Sequence, residues 1–233
     1  KFWNKGLAVE LIRFGSKSLS NSGSQLILFQ TIAVVLGTVS GPAILAVYTR
    51  SQSLLRISES MIQKVANMLT PIASSLIGFK RESEARSLLL DTCTLFMCIS
   101  TPISLGTFFF GDLIVELWMG ADYSHRKLVG ILSLGSLLPI ANIGAYSVLA
   151  GMNAHGKLGI ANIVITVLSL ATILPIAILS FGLDFNSAAI TVAIVWTLSK
   201  GVSMPVFLKL RFNIPLTQYL KLVIFRPLFY YLP

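Results

Sequence analysis

Apolar residues occur along this chain in long blocks, not in the short alternation typical of β-strands. The blocks are each long enough for a membrane-spanning helix, which needs roughly 20 residues. They cover residues 12–37, 42–70, 88–110, 127–150, 158–181 and 187–208, and a seventh begins near residue 217. Because the connections are short, the pattern predicts an all-α integral membrane protein, a bundle of six antiparallel transmembrane helices plus the start of a further helix.

The composition also indicates a membrane protein. Of the 233 residues, 55% are apolar and only 12% are charged, whereas a soluble domain carries about a quarter charged residues. These values, with a mean hydropathy of +0.81, exclude a water-soluble enzyme, a secreted disulfide domain and a disordered tail. The chain starts at Lys1 and stops inside an apolar aromatic run. We therefore expect residues 1–211 to form one transmembrane lobe of a longer protein and residues 212–233 to be the truncated start of another membrane helix.

Basic residues are distributed unevenly between the two predicted ends of the bundle. The 18 Lys and Arg residues outnumber the 9 Asp and Glu residues. If the first helix starts in the cytoplasm, every connection on that side carries a base, as at Arg81 and Lys157, while Asp122 and Asp184 lie on the other side. The positive-inside rule therefore predicts a cytoplasmic N-terminus. It also explains the net charge of +9 without a nucleic-acid partner.

A polar stripe runs along the second block. Residues at steps of three and four share one face of a helix, and the members of this stripe are Thr49, Ser53, Arg56, Ser60, Gln63 and Asn67. A base deep in the membrane faces water or a partner because exposure to lipid is costly. The stripe therefore predicts a hydrated face with Arg56 deep within it. Two alternatives remain open: Arg56 forms a structural bridge to Glu59, and Arg50, which lies off the stripe, extends to the lipid headgroups.

The first block repeats this spacing in Arg13, Lys17, Ser20, Ser24 and Thr31. Its bases either line the same hydrated face or lie at the membrane interface, and its hydroxyls either face water or permit close helix packing. Lys200 is another base within the membrane, and Glu59 is the one deep acid. An excess of Arg and Lys suits phosphate or uronate groups, so the charges favour an anionic substrate.

The sequence contains no arrangement typical of an enzyme. It has no nucleophile and base at suitable spacing, no glycine-rich phosphate loop and no cluster of metal ligands. The nearest candidate for chemistry is His125 close to Asp122 in a loop. We therefore expect no enzymatic activity, no cofactor and no metal.

Three segments resemble polysaccharide transporters of the MOP flippase superfamily. The first is Gly41-Pro42 with Val47-Tyr48-Thr49-Arg50 and the later Pro71, which resembles the second helix of a lobe. The second is residues 110–123 with Leu128 and residues 131–134, which is similar to the outer loop and re-entry helix of the family. The third is residues 150–157, which is similar to the turn between the next two helices. The chain departs from the family at Gly15-Ser16-Lys17, where many members have Pro after Gly and a bend.

The resemblance implies a fold and a function. It implies two six-helix lobes, of which this chain is the second, so the missing N-terminal lobe is an expected partner. It also implies a multi-pass protein of the bacterial inner membrane that moves a lipid-linked oligosaccharide for lipopolysaccharide or exopolysaccharide synthesis by alternating access. Membrane lipids and proteins of glycan polymerisation and assembly are further expected partners.

The leading hypothesis is a flippase for an anionic polyprenyl-diphosphate-linked glycan. The candidate substrate-binding residues are Arg50, Arg56, Lys17, Arg13, Ser53, Ser60, Gln63 and Asn67. A cation or multidrug antiporter of the same superfamily is one alternative, supported by Glu59 alone. A non-catalytic membrane scaffold of a glycan-assembly complex is another, and in that case partner helices would cover the polar stripe.

Overall fold

The computed structural model describes residues 5–225 and 227, without the side chains of residues 5–8, 10, 11, 13, 14, 17, 18, 21 and 181. This part of the chain is all-α and contains no strand. Its helices are α1 (Lys5–Val39), α2 (Pro42–Asn67), α3 (Leu69–Gly78), α4 (Glu82–Met119), α5 (Arg126–Ala141), α6 (Ile143–Gly151), α7 (His155–Phe181), α8 (Phe185–Trp196), α9 (Ser203–Phe212) and α10 (Leu216–Tyr219). Two π-helical segments, Thr197–Val202 and Leu220–Phe225, follow α8 and α10.

The helices run up and down through one bundle. At one end the Ser40 hydroxyl, in the turn between α1 and α2, donates to the Leu183 carbonyl in the turn between α7 and α8. At the other end the Arg86 guanidinium near the start of α4 lies 5.7 Å from the centre of the Phe212 ring at the end of α9. The turns therefore meet in two sets, as short connections between antiparallel helices require.

Five helical segments among the described residues are long and apolar enough to cross a membrane. They are Ser22–Val39, Glu82–Met119, Arg126–Gly151, His155–Ser180 and Phe185–Phe212. Together with the all-helical architecture, they confirm the predicted membrane bundle. Helix α2 lies outside this set because its polar stripe lowers its hydropathy, although it packs against α1, α4, α5, α6 and α8.

Helix α4 is longer than its apolar block. The sequence predicted a helix over 88–110 followed by an outer loop, but α4 runs from Glu82 to Met119. Its extension packs on the bundle because Gly111 lies against Val129, where an added Cβ would approach the valine Cγ1 to 2.5 Å. The helix ends at Gly120, whose φ of 104° is accessible to glycine at little cost. Prediction of the loop failed here because polar residues such as Asp112 occupy the outer face of a continuing helix.

Apolar side chains pack in three clusters. One joins α1, α2, α5, α7 and α8. A second joins α3, α4, α5, α6, α7, α9 and α10, and a smaller one lies between α2, α4 and the α5–α6 junction. Glycines allow the closest helix contacts, as where Gly135 of α5 meets Ala193 of α8. Trp196, Tyr146 and Ile143, one from each cluster, line a small polar space at their meeting point.

Candidate functional site

A polar cavity of about 340 Å³ opens between α1 and α2. Helix α2 contributes Arg56, Glu59, Ser60 and Gln63, and α1 contributes Ser22, Gln25, Leu26, Phe29 and Gln30. The two helices are joined across it, since the Gln25 amide Nε2 donates to Glu59 Oε1 at 2.6 Å. The cavity thus presents a guanidinium, a carboxylate, amides and hydroxyls within an otherwise apolar bundle.

The cavity continues inward as a narrower space of about 70 Å³. Glu59, Gln25 and Gln63 line both parts, while Tyr146 and Lys200 line only the inner one. Lys200 is almost completely buried, at 8% exposure, and its ammonium lies 4.5 Å from the centre of the Tyr146 ring, in the range of a cation–π interaction. Lys200 and Arg56 both act electrostatically on the Glu59 carboxylate. The cavity therefore contains two bases and one acid.

The backbone around Lys200 is π-helical over Thr197–Val202. Wider turns of this kind occur mostly as single insertions and often at functional sites. They displace carbonyl groups from the regular hydrogen-bond ladder, and here Asn142 Nδ2 donates to the carbonyls of Lys200 at 3.0 Å and Gly201 at 3.1 Å. Asn142 Oδ1 in turn accepts from the Tyr219 hydroxyl at 2.6 Å. A buried amide thus holds the segment that carries the buried base.

Tyr146 is also fixed by a buried amide. In the amide orientation that gives both of its polar atoms a partner, the Asn162 oxygen accepts a hydrogen bond from the Tyr146 hydroxyl at 2.9 Å. Its nitrogen then donates to the Ser199 carbonyl at 2.6 Å and to the Ser203 hydroxyl at 2.8 Å. Because Ser199 and Ser203 flank Lys200, this network holds the aromatic ring and the base in one arrangement. Satisfied polar networks in a low-dielectric interior restrict movement of their members.

The structure brings together part of the predicted stripe of α2. Arg56, Ser60 and Gln63 line the cavity, and Gln63 Nε2 donates to Asn67 Oδ1 at 2.8 Å beyond its edge. Ser53 does not line it, and its hydroxyl donates to the Thr49 carbonyl at 2.7 Å.

Arg50 also lies away from the cavity. Its guanidinium is 5.7 Å from the centre of the Tyr123 ring, beyond the end of α4. Six residues of helix separate it from Arg56, which is about 9 Å along the axis. The position agrees with the alternative that Arg50 extends to the edge of the bundle.

The hydroxyl residues of the predicted α1 stripe, Ser20, Ser24 and Thr31, face away from this cavity. Ser24 is buried at 1% exposure, and Thr31 lines a groove shared with α7. Successive helical residues are separated by about 100°, so Ser22 and Gln25 lie on roughly the opposite side of α1 from Ser20 and Thr31. The hydroxyl stripe is therefore a packing face, in agreement with the alternative that these hydroxyls permit close helix packing. The side chains of Arg13 and Lys17 lie outside the described residues.

Gln25 and Glu59 are among the cavity residues that the site prediction missed, as are the polar residues Ser22, Gln30, Tyr146 and Lys200. On α1 the spacing of Ser22, Gln25 and Phe29 follows a helical face, but the apolar Phe29 interrupts its polar character. On α2 Glu59 lies between the polar stripe and the buried stripe of Tyr48, Leu55 and Ile62. That intermediate position directs it toward the inner part of the cavity, while Arg56 stays at its mouth.

Two larger grooves lie along α7 and differ in chemistry from the polar cavity. The groove between α7 and α1 measures about 460 Å³ and is almost entirely apolar. The groove between α7 and α8 measures about 490 Å³ and has polar groups only toward the end that carries Asp184. Apolar grooves on the outside of a membrane bundle are suited to lipid chains. The polar cavity is therefore the better candidate for recognising a charged group.

The comparison with protein families gives an independent assignment. The family described as polysaccharide biosynthesis protein matches residues 2–127, more than half of the chain. No curated protein and no solved structure matches the chain. The matched region contains α1 to α4 and so includes every residue named on the outer part of the cavity. This multi-pass membrane protein therefore belongs to the polysaccharide biosynthesis protein family, as its resemblance to polysaccharide transporters of the MOP flippase superfamily predicted.

Proposed function

We propose that the protein moves an anionic lipid-linked oligosaccharide, carried on a polyprenyl diphosphate, across the bacterial inner membrane by alternating access, without a catalytic step. The observation that carries this proposal is the polar cavity of about 340 Å³ with Arg56 at its mouth. It lies in a chain of the polysaccharide biosynthesis protein family. In this reading the chain acts together with an N-terminal lobe and with the proteins that assemble the glycan.

The side chains of the cavity match the chemistry of such a substrate. A guanidinium binds phosphate oxygens through two parallel hydrogen bonds, and its planar fork gives these bonds a fixed direction. The amides of Gln25, Gln30 and Gln63 and the hydroxyl of Ser60 line the same space. Amides and hydroxyls both donate and accept hydrogen bonds, as sugar hydroxyl groups require. We therefore assign the diphosphate to Arg56 and the adjoining sugar to these neutral groups.

The charges of the cavity also argue against a cation antiporter. Its acid, Glu59, already accepts a hydrogen bond from Gln25, and the positive charges of Arg56 and Lys200 also act on it. An organic cation would meet two bases and one compensated acid in this space. An anionic headgroup instead gains from the excess positive charge, so the flippase reading is favoured.

Replacement of Arg56 tests the proposal. In a strain that lacks the gene and is complemented with the full-length protein, Arg56→Ala should cause lipid-linked glycan to accumulate on the cytoplasmic side while the protein remains in the membrane. A hydrogen bond to a charged group contributes about 1.5–3 kcal/mol, so losing one should weaken headgroup binding roughly 10- to 100-fold. Arg56→Lys should retain part of the transport because the charge survives without the fork.

Two further variants separate recognition from structure. Arg50→Ala is the matched control, since Arg50 lies on the same helix but outside the cavity, and it should transport normally. If Arg56 serves only to neutralise Glu59, the double variant Arg56→Ala, Glu59→Ala should restore transport, because no uncompensated charge of the two then remains. Such restoration would refute the binding role of Arg56.

A further inference from the structure

Three charged side chains lie along the polar cavity from its mouth to its inner end. Arg56 lines the outer part, Lys200 lines the inner part, and Glu59 lines both. Each base acts electrostatically on the carboxylate. Counting the two bases and the ionised acid, these three groups sum to a charge of +1. The carboxylate therefore neutralises only part of the positive charge that a bound anion would meet.

The surroundings of Glu59 contain few other groups that exchange protons. Helix α1 presents the neutral Gln25 amide, the α6 helix presents Tyr146, and the π-helical segment presents Lys200. The other residues that α5, α6 and α8 contribute to the cavity are uncharged, and α4 contributes none among the described residues. On α2 itself, Arg56 is the charged neighbour along the cavity. Glu59 is thus the one acid among the described residues that line this space.

We infer that binding of a diphosphate headgroup in the polar cavity is coupled to uptake of one proton by Glu59. This inference rests on the proposed function. A diphosphate that is esterified at both ends carries about two negative charges near neutral pH. With Glu59 ionised, the occupied cavity would hold one uncompensated negative charge, and burying unpaired charge is unfavourable. A proton from water on Glu59 brings the sum of the bases, the acid and the headgroup to zero.

The local contacts permit this change without a rearrangement. The protonated carboxyl group keeps an acceptor oxygen, so the hydrogen bond from Gln25 at 2.6 Å can persist. Its new O–H group can donate to the headgroup. Lys200 and Arg56 are then released from the carboxylate and become counter-ions of the phosphates. Because linkage is reciprocal, the headgroup favours the proton and the proton favours the headgroup by the same factor.

Calorimetry on the full-length protein in lipid nanodiscs tests the coupling. The probe is a short-chain prenyl diphosphate esterified to a hexose, which has no ionisation of its own near neutral pH. Titrations in two buffers with different heats of ionisation give the number of protons exchanged on binding. We expect an uptake approaching one proton and an affinity that falls with rising pH, by up to tenfold per unit. At a pH where Lys200 is charged, Glu59→Gln should bind the probe with no proton uptake, and over that range its affinity should not depend on pH.

Matched variants make the outcome specific to Glu59. Glu116→Gln removes an exposed carboxylate of α4 and should take up protons as the wild type does, and Glu59→Asp should retain the uptake because it keeps a carboxyl group. Binding by the wild type without proton uptake, or uptake that persists in Glu59→Gln, would overturn the coupling and leave the proposed function intact. The wild-type measurement decides the first outcome even if Glu59→Gln does not fold. No binding of the probe at any pH would overturn the proposed function itself.

Discussion

Substitution of Gly135 by alanine should destabilise the bundle through one close helix contact. A Cβ at this position would lie 2.4 Å from the Cβ and 2.6 Å from the Cα of Ala193 on α8. Carbon atoms in favourable contact are about 3.5–4.0 Å apart, so α5 and α8 would have to separate by about 1–1.5 Å. Because one of the opposing atoms belongs to the backbone, no side-chain rotation relieves the clash.

The cost follows from what this separation breaks. Overpacking in a well-packed core costs about 1–3 kcal/mol. The Thr197 hydroxyl donates to the Gly135 carbonyl at 3.1 Å, and loss of that bond adds about 0.5–1.5 kcal/mol. Alanine has a higher helix propensity than glycine, which offsets about 1 kcal/mol, so the net loss of unfolding free energy is about 0.5–3.5 kcal/mol. For a chain of this size each kcal/mol lowers the melting temperature by about 2–4 °C.

The assay measures the melting temperature of the detergent-solubilised protein. A fluorescent fusion is heated, and the fraction that stays folded is measured by size-exclusion chromatography. Gly106→Ala is the matched control, because Gly106 lies within α4 and an added Cβ has no neighbour within 4 Å. Its melting temperature should equal or slightly exceed that of the wild type, while Gly135→Ala should melt about 1–14 °C lower. Equal melting temperatures for the two variants would refute the close approach of α5 and α8.

Three other measurements test the cavity, the orientation and a helix cap. In a cysteine-free background, a cysteine at Gln63 should react with a charged thiol reagent and one at the apolar, exposed Leu168 should not; equal protection would mean that the cavity is dry. A cysteine at Asp122 should react in intact cells, and a need for permeabilisation would reverse the predicted topology. Partial burial raises the pKa of Asp184, but hydrogen bonds from Ser187 bring it below its ordinary value. The ionised cap therefore stabilises α8 in full above about pH 4, the ordinary pKa of an aspartate. This stabilisation decreases as the pH falls further and is lost only below the lowered pKa of the folded state, so the melting difference caused by Asp184→Asn should shrink from about pH 4 downward.

The helical pattern on α2 predicted the cavity because the helix has two distinct faces. Tyr48, Leu55 and Ile62 recur at seven-residue steps and are buried, so the polar stripe beside them has a fixed direction. Arg56 and Gln63 consequently line the cavity, and their part in substrate binding stays a prediction. The same stripe extends past the ends of the cavity, because periodicity gives the direction of a side chain and not the depth at which neighbouring helices separate.

On α1 the periodicity was misleading because hydroxyl groups are ambiguous in a membrane. Ser24 satisfies the spacing of a polar face but packs inside the bundle. At its neighbour Gly23, an added Cβ would lie 3.3 Å from the Cδ1 atom of Ile163 on α7. Small residues permit such close helix packing. The amide of Gln25 is too large for that role and would have been the more informative residue.

The inner part of the cavity depends on contacts that a linear pattern does not contain. The sequence identified Lys200 as a base within the membrane, but its placement follows from the π-helical segment Thr197–Val202. That segment is stabilised by Asn142 at the junction of α5 and α6, which in turn accepts a hydrogen bond from Tyr219 of α10. The residues involved are up to 77 positions apart in the chain. Their association requires the folded bundle, so local propensity alone could not predict it.

The positive net charge of the polar cavity comes from a residue outside the region that matches the family. Residues 2–127 match the family and contribute Arg56 and Glu59, whose opposite charges cancel. Lys200, which lies beyond that region, supplies the remaining positive charge from the inner end of the cavity. A buried lysine is unfavourable unless it has counter-charge or aromatic contact, and Lys200 has both, from Glu59 and from Tyr146. The arrangement therefore keeps a cation available in the interior of the bundle, where a bound anion can compete with Glu59 for it.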